Sequence, residues 1–120
     1  MLITGAIHHH LINKRLRSKA SIVAEVSDVI ETHHYATLIG FGASAVNPYL
    51  ALESLKDLNQ TEGLSTEVSD LVAIENYKSA IGYGLRKILS KMGISTLQSY
   101  QSAQIFEALG IDETVIEKCF

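Results

Sequence analysis

The sequence predicts an α/β fold in which helices alternate with short strands. Three observations lead there. Helical patterns cover residues 6–17, 31–40, 48–58 and 71–92. Two β-prone runs, 21–26 and 43–47, lie between them. A third such run, Ile94–Leu97, follows a glycine stop at Gly93. With 120 residues, 47% of them hydrophobic, the chain has material for one modest core and does not have the composition of a disordered segment.

Each element has a local reason. Ile7, Leu11, Ile12 and Leu16 recur at helical spacing, and Lys14, Arg15, Arg17 and Lys19 fall where a helix C-terminus favours positive charge. Residues 21–26 are rich in β-branched side chains and bounded by polar ones, which predicts a strand. Residues 31–40 predict a helix with Tyr35, Leu38 and Ile39 on its apolar side. Residues 43–47 predict a short buried strand. Asn47 then caps a helix that opens at Pro48, where a missing N–H costs nothing, and runs toward Leu58.

Residues 59–70, polar and without an aromatic, predict a loop and the most mobile internal segment. Residues 71–92 predict the longest helix, with Tyr77, Ile81, Leu85, Ile88 and Met92 along one side. Gly82 and Gly84 each cost about 1 kcal/mol there relative to alanine, which points to close packing against a neighbour. Gly93 suits a left-handed helix stop. Ile94–Leu97 then reads as a strand, 98–102 as a polar turn, and 103–109 as a helix ended by Gly110. Residues 115–120 form a last apolar stretch with no cap. Both termini run abruptly into patterned sequence, as expected of a piece of a longer chain.

Bulk properties exclude several classes. A net charge of −3 gives no general attraction to nucleic acid, and the basic residues at 14–19 have no aromatic among them. They read as a solvated helix end or as a contact with an acidic surface of a larger parent protein. The single cysteine, Cys119, excludes an internal disulfide and fits a reducing compartment. No apolar run approaches membrane-spanning length, and the N-terminus is no signal peptide.

The chemistry-bearing residues are few. His8, His9 and His10 point about 100° apart on a helix, so one metal cannot easily take all three; a zinc site would need one histidine from each cluster, the second being His33 and His34, with Cys119 or an acid beside them. The simpler reading is histidines that bond backbone or pack between helices. Gly40-Phe41-Gly42-Ala43-Ser44-Ala45 has dinucleotide-fingerprint spacing, but Pro48 follows too soon and a helix precedes it, so a tight helix-to-strand turn is the better reading. Cys119 reads as a buried structural thiol. Gln98, Ser99, Tyr100 and Gln104 cluster after the predicted strand at 94–97, at the end where α/β folds present their sites.

Three segments carry a family resemblance: TGAIHHHLINKRLR at 4–17, ETHHYATLIGFGASAVNPYLALE at 31–53 and SKMGISTLQSYQSAQIFEALG at 90–110. In that order they resemble the glutamate synthase large chain. The resemblance implies that residues 1–70 come from the end of its central domain. Residues 71–120 would supply the leading helix and first β/α unit of a (β/α)8 flavin barrel. It implies an oxidoreductase of ammonia assimilation that makes glutamate from glutamine and 2-oxoglutarate with FMN and a 3Fe-4S cluster.

By the same resemblance Gln98, Ser99, Tyr100 and Gln104 border the flavin, and no catalytic residue or metal ligand lies in this chain. The implied partners are the rest of the enzyme chain and an electron donor, either ferredoxin or a pyridine-nucleotide-linked subunit. No nucleic acid or membrane is implied. The compartment is the cytoplasm, or the plastid stroma in a photosynthetic eukaryote. The chain alone is expected to bind no cofactor and to be inactive. The alternative is a non-catalytic α/β assembly module that needs a partner. One departure stands out: where the family pattern has glycine, this chain has Ser102. If the glycine is there for positive φ or close backbone approach, Ser102 strains the turn.

Overall fold

The computed structural model describes residues 1–61 and 68–120. Among the described residues the helices are α1 (Leu2–Asn13), α2 (Thr32–Gly40), α3 (Tyr49–Thr61), α4 (Asp70–Lys91), α5 (Leu97–Tyr100) and α6 (Glu113–Cys119), and a 3-10 turn covers Arg17–Lys19. Strands β1 (Val23–Glu25) and β2 (Ala45–Asn47) pair in parallel, Val23 opposite Ala45 and Glu25 opposite Asn47. Parallel neighbours require a crossover, and α2 supplies it. The expected α/β alternation is therefore present as one βαβ unit with further helices packed around it.

Helix α2 begins with His34 reaching back. Its Nδ1 accepts from the backbone N–H of Ile30 at 3.1 Å and of Glu31 at 3.2 Å. This is the part a glutamate usually takes in a capping box, and it agrees with the reading of these histidines as backbone partners.

Three helices end in the same way. After α1 the N–H of Arg15 meets the Ile12 carbonyl and that of Leu16 meets Leu11. After α2, Gly42 bonds to Ile39 and Ala43 to Leu38; after α4, Gly93 bonds to Ser90 and Ile94 to Leu89. This is the Schellman pattern, which needs a left-handed residue just past the helix. Gly42 (φ +107°) and Gly93 (φ +68°) provide it without strain, whereas Arg15 adopts φ +58° as a non-glycine.

Two apolar clusters form the core. Val29, Tyr35, Leu38 and Ala43 make one, with Tyr77, Ile81 and Leu85 of α4 against it. Ala36, Ile39 and Tyr100 make the other, closed by Leu85, Ile88, Leu89, Ile94 and Phe106. The predicted side of α4 thus faces both clusters, except Met92, which is exposed. Tyr35 donates to the Tyr77 hydroxyl at 2.7 Å, and Tyr77 donates to the Ile30 carbonyl at 2.7 Å. Burial, and then this bond to Tyr77, push the Tyr35 phenol far above its usual range.

Several expectations change. Helix α1 starts four residues early, and its buried face is Thr4, Gly5 and His8, not the Ile7–Leu16 stripe, whose members Ile7, Ile12 and Leu16 are exposed. The reason is close packing: Gly5 lies against the Cys119 carbonyl of α6, an approach that a larger side chain would block. The basic cluster lies beyond the helix rather than in its last turn. Residue 43 is buried in the turn, while β2 itself exposes Ala45 and Asn47.

Helix α3 extends over residues 59–61 of the predicted loop, because Asn59 donates to the Val68 carbonyl (2.9 Å) and to Asp70 (2.8 Å). Of that loop, 62–67 lie outside the described residues. Gly84 meets Thr32 closely, as expected, but Gly82 has only the Arg86 side chain near it, at 3.7 Å.

The largest change follows α4. No strand forms at 94–97. The Schellman bond turns Ile94 back onto Leu89, and the Thr96 side chain caps α5 by accepting from Ser99 N–H at 3.4 Å. No helix forms at 103–109. Phe106 is drawn into the second cluster, and Ser102 and Gln104 sit at positive φ. Helix α6 does have a cap: Asp112 accepts from the Thr114 N–H at 3.0 Å. The Thr114 hydroxyl and then its N–H hold the Asp112 carboxyl below the usual carboxylate range.

Candidate functional site

The richest polar constellation joins segments far apart in sequence. Arg17, half-buried rather than solvated, donates Nε–H to His8 Nδ1 at 2.9 Å and its terminal nitrogens to the carbonyls of Ala20 (2.8 Å) and Gly42 (3.0 Å). Gln101 donates its amide to the carbonyls of Gly42 and Ala43, each at 3.0 Å, and lies 3.2 Å from the Ser44 hydroxyl. The turn after α2 is therefore gripped from both sides. Its glycine is required twice over: φ is positive, and a Cβ would lie 2.7 Å from the His8 ring.

His8 is 8% exposed. Arg17 can only donate, so Nδ1 is the acceptor and the ring proton sits on Nε2. Burial first, then Arg17 and His9, lower the His8 pKa from its ordinary value. Ser102 Oγ lies 3.5 Å from the same Nδ1.

Beside this hub is a cavity of about 350 Å³ whose lining includes His8, Phe41, Ser102, Phe106, Cys119 and Phe120. Phe41 stacks on Phe106 with centroids 5.4 Å apart and meets Phe120 edge-on at 5.0 Å. A second cavity, about 430 Å³, lies at the carboxyl end of β2 between α2 and α4, lined by Tyr35, Asn47, Leu52, Tyr77 and Gly82 among others. Among the described residues no group of three or more His, Cys, Asp or Glu is placed to hold a metal ion, and no helix is long and apolar enough to cross a membrane.

The four residues singled out in the sequence are not brought together. Gln98 and Ser99 lie exposed on α5. Tyr100 is 2% exposed, inside the second cluster, and burial raises its phenol pKa. Gln104 lines the first cavity and donates to the Phe120 carbonyl at 3.1 Å. Sequence reasoning missed the joint role of His8, Arg17, Gln101 and Ser102. The available signal was the glycine expected at position 102, since the structure does place positive φ there (+62°).

Comparison with known proteins bears on the whole chain. The family model described as the glutamate synthase central domain matches residues 1–112. The chain is 53% identical to the glutamate synthase [NADH] of Schizosaccharomyces pombe over 97% of its length. It is 47% identical to the glutamate synthase [NADPH] large chain of Bacillus subtilis and 48% identical to the ferredoxin-dependent glutamate synthase of Pyropia yezoensis, over 100% in each case. It spans 6–8% of the length of these curated relatives.

Proposed function

This chain belongs to the glutamate synthase family, and we propose that it serves there as a structural segment linking the central domain to the flavin-bearing part of a glutamate-forming oxidoreductase. The observation that carries this reading is the family match together with 44–53% identity over nearly the whole chain to relatives using NADH, NADPH or ferredoxin. On this reading the complete enzyme makes glutamate from glutamine and 2-oxoglutarate in the cytoplasm or plastid stroma. Its electrons come from ferredoxin or a pyridine-nucleotide-linked subunit.

The residues of this chain fit the margin of an FMN site rather than a whole one. Gln98 and Ser99 present an exposed amide and hydroxyl on α5, and the Gln104 amide donates to Phe120 while its oxygen has no partner among the described residues. These groups would accept from or donate to the flavin's polar edge. FMN itself supplies the hydride chemistry when bound; the protein contributes placement. Tyr100, enclosed in the core, enters the proposal as the support that holds the turn in position. A 3Fe-4S cluster requires several thiolates, and Cys119 is the single cysteine, so the cluster would be held by other parts of the enzyme.

A division near residue 70 into central-domain and barrel portions is part of the proposal. It has to accommodate α4, which packs on α2 and α3. In a complete glutamate synthase containing this segment, Ser99→Ala and Gln104→Ala should weaken FMN retention or synthase turnover and leave glutaminase activity intact. Unchanged flavin content and synthase rate in both variants would remove these residues from the site. The 120-residue chain by itself should purify without flavin absorbance and form no glutamate. Flavin copurifying at equal stoichiometry would overturn that.

A further inference from the structure

His8 and Arg17 form a contact that a single proton would undo. Arg17 donates Nε–H to His8 Nδ1 at 2.9 Å and reaches on to the carbonyls of Ala20 and Gly42. A guanidinium has no acceptor and keeps its protons, so this bond exists only while Nδ1 is bare. The contact ties three segments together: α1, the 3-10 turn at Arg17–Lys19 and the turn after α2. Between the first two lies Arg15 at φ +58°, a conformation that a non-glycine residue leaves once its restraints go. Ser102 Oγ is 3.5 Å from the same Nδ1, and a hydroxyl oxygen can accept as well as donate. The ring thus stands between one partner that can only donate and one that can also accept.

Each element around the ring contributes to its charge balance. On α1, His9 stands edge-on with centroids 5.5 Å apart, and His10 is exposed. Lys14, Arg15 and Lys19, beside Arg17, are also exposed. The turn after α2 brings Phe41 and Gly42, which carry no charge. Residues 101–106 bring the neutral Ser102 and Gln104, and Glu107 beyond them is exposed. From α6 the Cys119 thiol lines the adjoining cavity, while Glu113, Glu117 and Lys118 are exposed. Phe120 lines the same cavity, and its carboxylate as the chain end favours a charged ring. Against it, burial first, then Arg17 and His9, lower the His8 pKa from its ordinary value. With the folded value lowered, the contact is intact above the ordinary imidazole range and is lost as the pH falls through the lower value.

We propose that His8 is a proton-operated latch, which exchanges Arg17 for Ser102 as its partner and so frees the turn at residues 15–19 from the turn after α2. A proton taken from solvent at Nδ1 ends the bond from Arg17 and sets two cations side by side. The new Nδ1–H then donates to the Ser102 oxygen. Nε2–H is unchanged, and the ring gains one positive charge. Arg17 withdraws from the Gly42 carbonyl, and the chain loosens about Arg15. Gln101 still holds the Gly42 and Ala43 carbonyls, so the release is confined to the α1 side. The latch is independent of the flavin reading, since none of the residues proposed for that margin takes part.

The test follows the 120-residue chain between about pH 7 and 5, the range in which imidazoles change charge. NMR reports the His8 ring. Amide hydrogen exchange, corrected for its intrinsic pH dependence, reports Leu16 and Lys19, bonded within the α1-side turn, and Gly42 and Ala43, bonded within the other. A hydrogen bond to a charged group is at stake, so exchange at Leu16 and Lys19 should rise roughly tenfold or more as His8 titrates. Gly42 and Ala43 should change less. His8→Asn places a non-titrating acceptor near the Nδ1 position and should abolish the rise; His34 is present in both chains and cancels. Arg17→Gln removes the neighbouring cation and should move the His8 titration to higher pH. Ser102→Ala removes the second acceptor and should move it lower. Amidation of the C-terminus should also move it lower and leave the rise in place. Thermal unfolding reports whether each variant folds. If His8→Asn does not, the opposite shifts in the Arg17 and Ser102 variants decide. The proposal is overturned by a His8 ring that titrates with no added exchange at Leu16 and Lys19, or that stays neutral until the chain unfolds. The same rise in folded His8→Asn, a rise that vanishes on amidation, or a titration unmoved in both other variants would overturn it as well.

Discussion

Helix α4 and residues 94–112 follow one another in the chain and are held in place by different means. Helix α4 runs for 22 residues with a cap at each end: Ser69 accepts from the Val72 N–H, Asp70 sits in the first turn, Lys91 in the last, and Gly93 closes the end. Its apolar side is shared among Tyr77, Ile81, Leu85, Ile88 and Leu89. Residues 94–112 contain one four-residue helix, and Ser102 and Gln104 there adopt φ of +62° and +51°. This segment hangs on a few long-range anchors: Tyr100, Gln101, Gln104 and Phe106. A helix spreads its stabilisation over many small terms, whereas an irregular segment concentrates it in a few side chains. Loss of one anchor should therefore matter more in the second region than loss of one contact in the first.

The largest expected effect tests that contrast at Tyr100. Its ring is enclosed by Ala36, Ile39 and the α4 side chains. Tyr100→Ala leaves a cavity that should cost about 3–5 kcal/mol, as for other buried aromatics. Ile88→Val on α4 should cost only about 0.5–1.5 kcal/mol. Urea unfolding monitored by circular dichroism measures both, and limited proteolysis of Tyr100→Ala should cut first within 94–112. Equal losses would show that α4 depends on single contacts as much as its neighbour does.

What was readable in the sequence follows the same division. The helical period of 71–92, the glycine stop at Gly93 and the Pro48 boundary are local signals, and the structure reproduces each within a few residues. The strand at 94–97 was misread because β-branched Ile94 and Thr96 suit a strand, yet one is pulled back onto a helix end and the other is used as a cap. The buried face of α1 was misread because apolar periodicity cannot see that Gly5 and His8 meet α6 and the Gly42 turn. Site legibility fails for the same reason. Arg17 and His8 are nine residues apart and Ser102 and His8 are 94 apart, so only the fold shows that they meet.

A middle-sized effect separates two glycines within α4 itself. At Gly84 an added Cβ would lie 2.5 Å from Thr32 Oγ1 and 2.6 Å from its Cγ2, at the point where α2 begins. Gly84→Ala should destabilise by about 1–3 kcal/mol through overpacking. At Gly82 the nearest atom is the far end of Arg86, and the methyl would enter the second cavity. Gly82→Ala should stabilise by up to about 1 kcal/mol, since helix propensity is then unopposed. Opposite signs in thermal unfolding confirm that α4 is close-packed at one glycine only. The same sign at both would mean that the helix shifts to absorb a methyl.

The smallest effect concerns Ser102 and sharpens the comparison most, because it separates strain from contact in the irregular segment. A left-handed conformation costs a non-glycine residue roughly 1–2 kcal/mol. Glycine would remove that cost, but its unfolded chain is more flexible, which takes back about 0.4–1 kcal/mol. The hydroxyl contributes little to the fold on its own, because its contact with His8 is long at 3.5 Å and Arg17 already fills that acceptor. Ser102→Gly should therefore raise stability by between zero and about 1.5 kcal/mol. Ser102→Ala keeps the strained backbone and loses only the hydroxyl, so it should match the parent chain or fall slightly below it. The order glycine, then serine, then alanine in urea midpoints would show that the turn bears a backbone strain which the anchors at Tyr100 and Gln101 hold in place. If alanine proves as stable as glycine, the strain is relaxed in solution, and the left-handed turn is held by contacts alone.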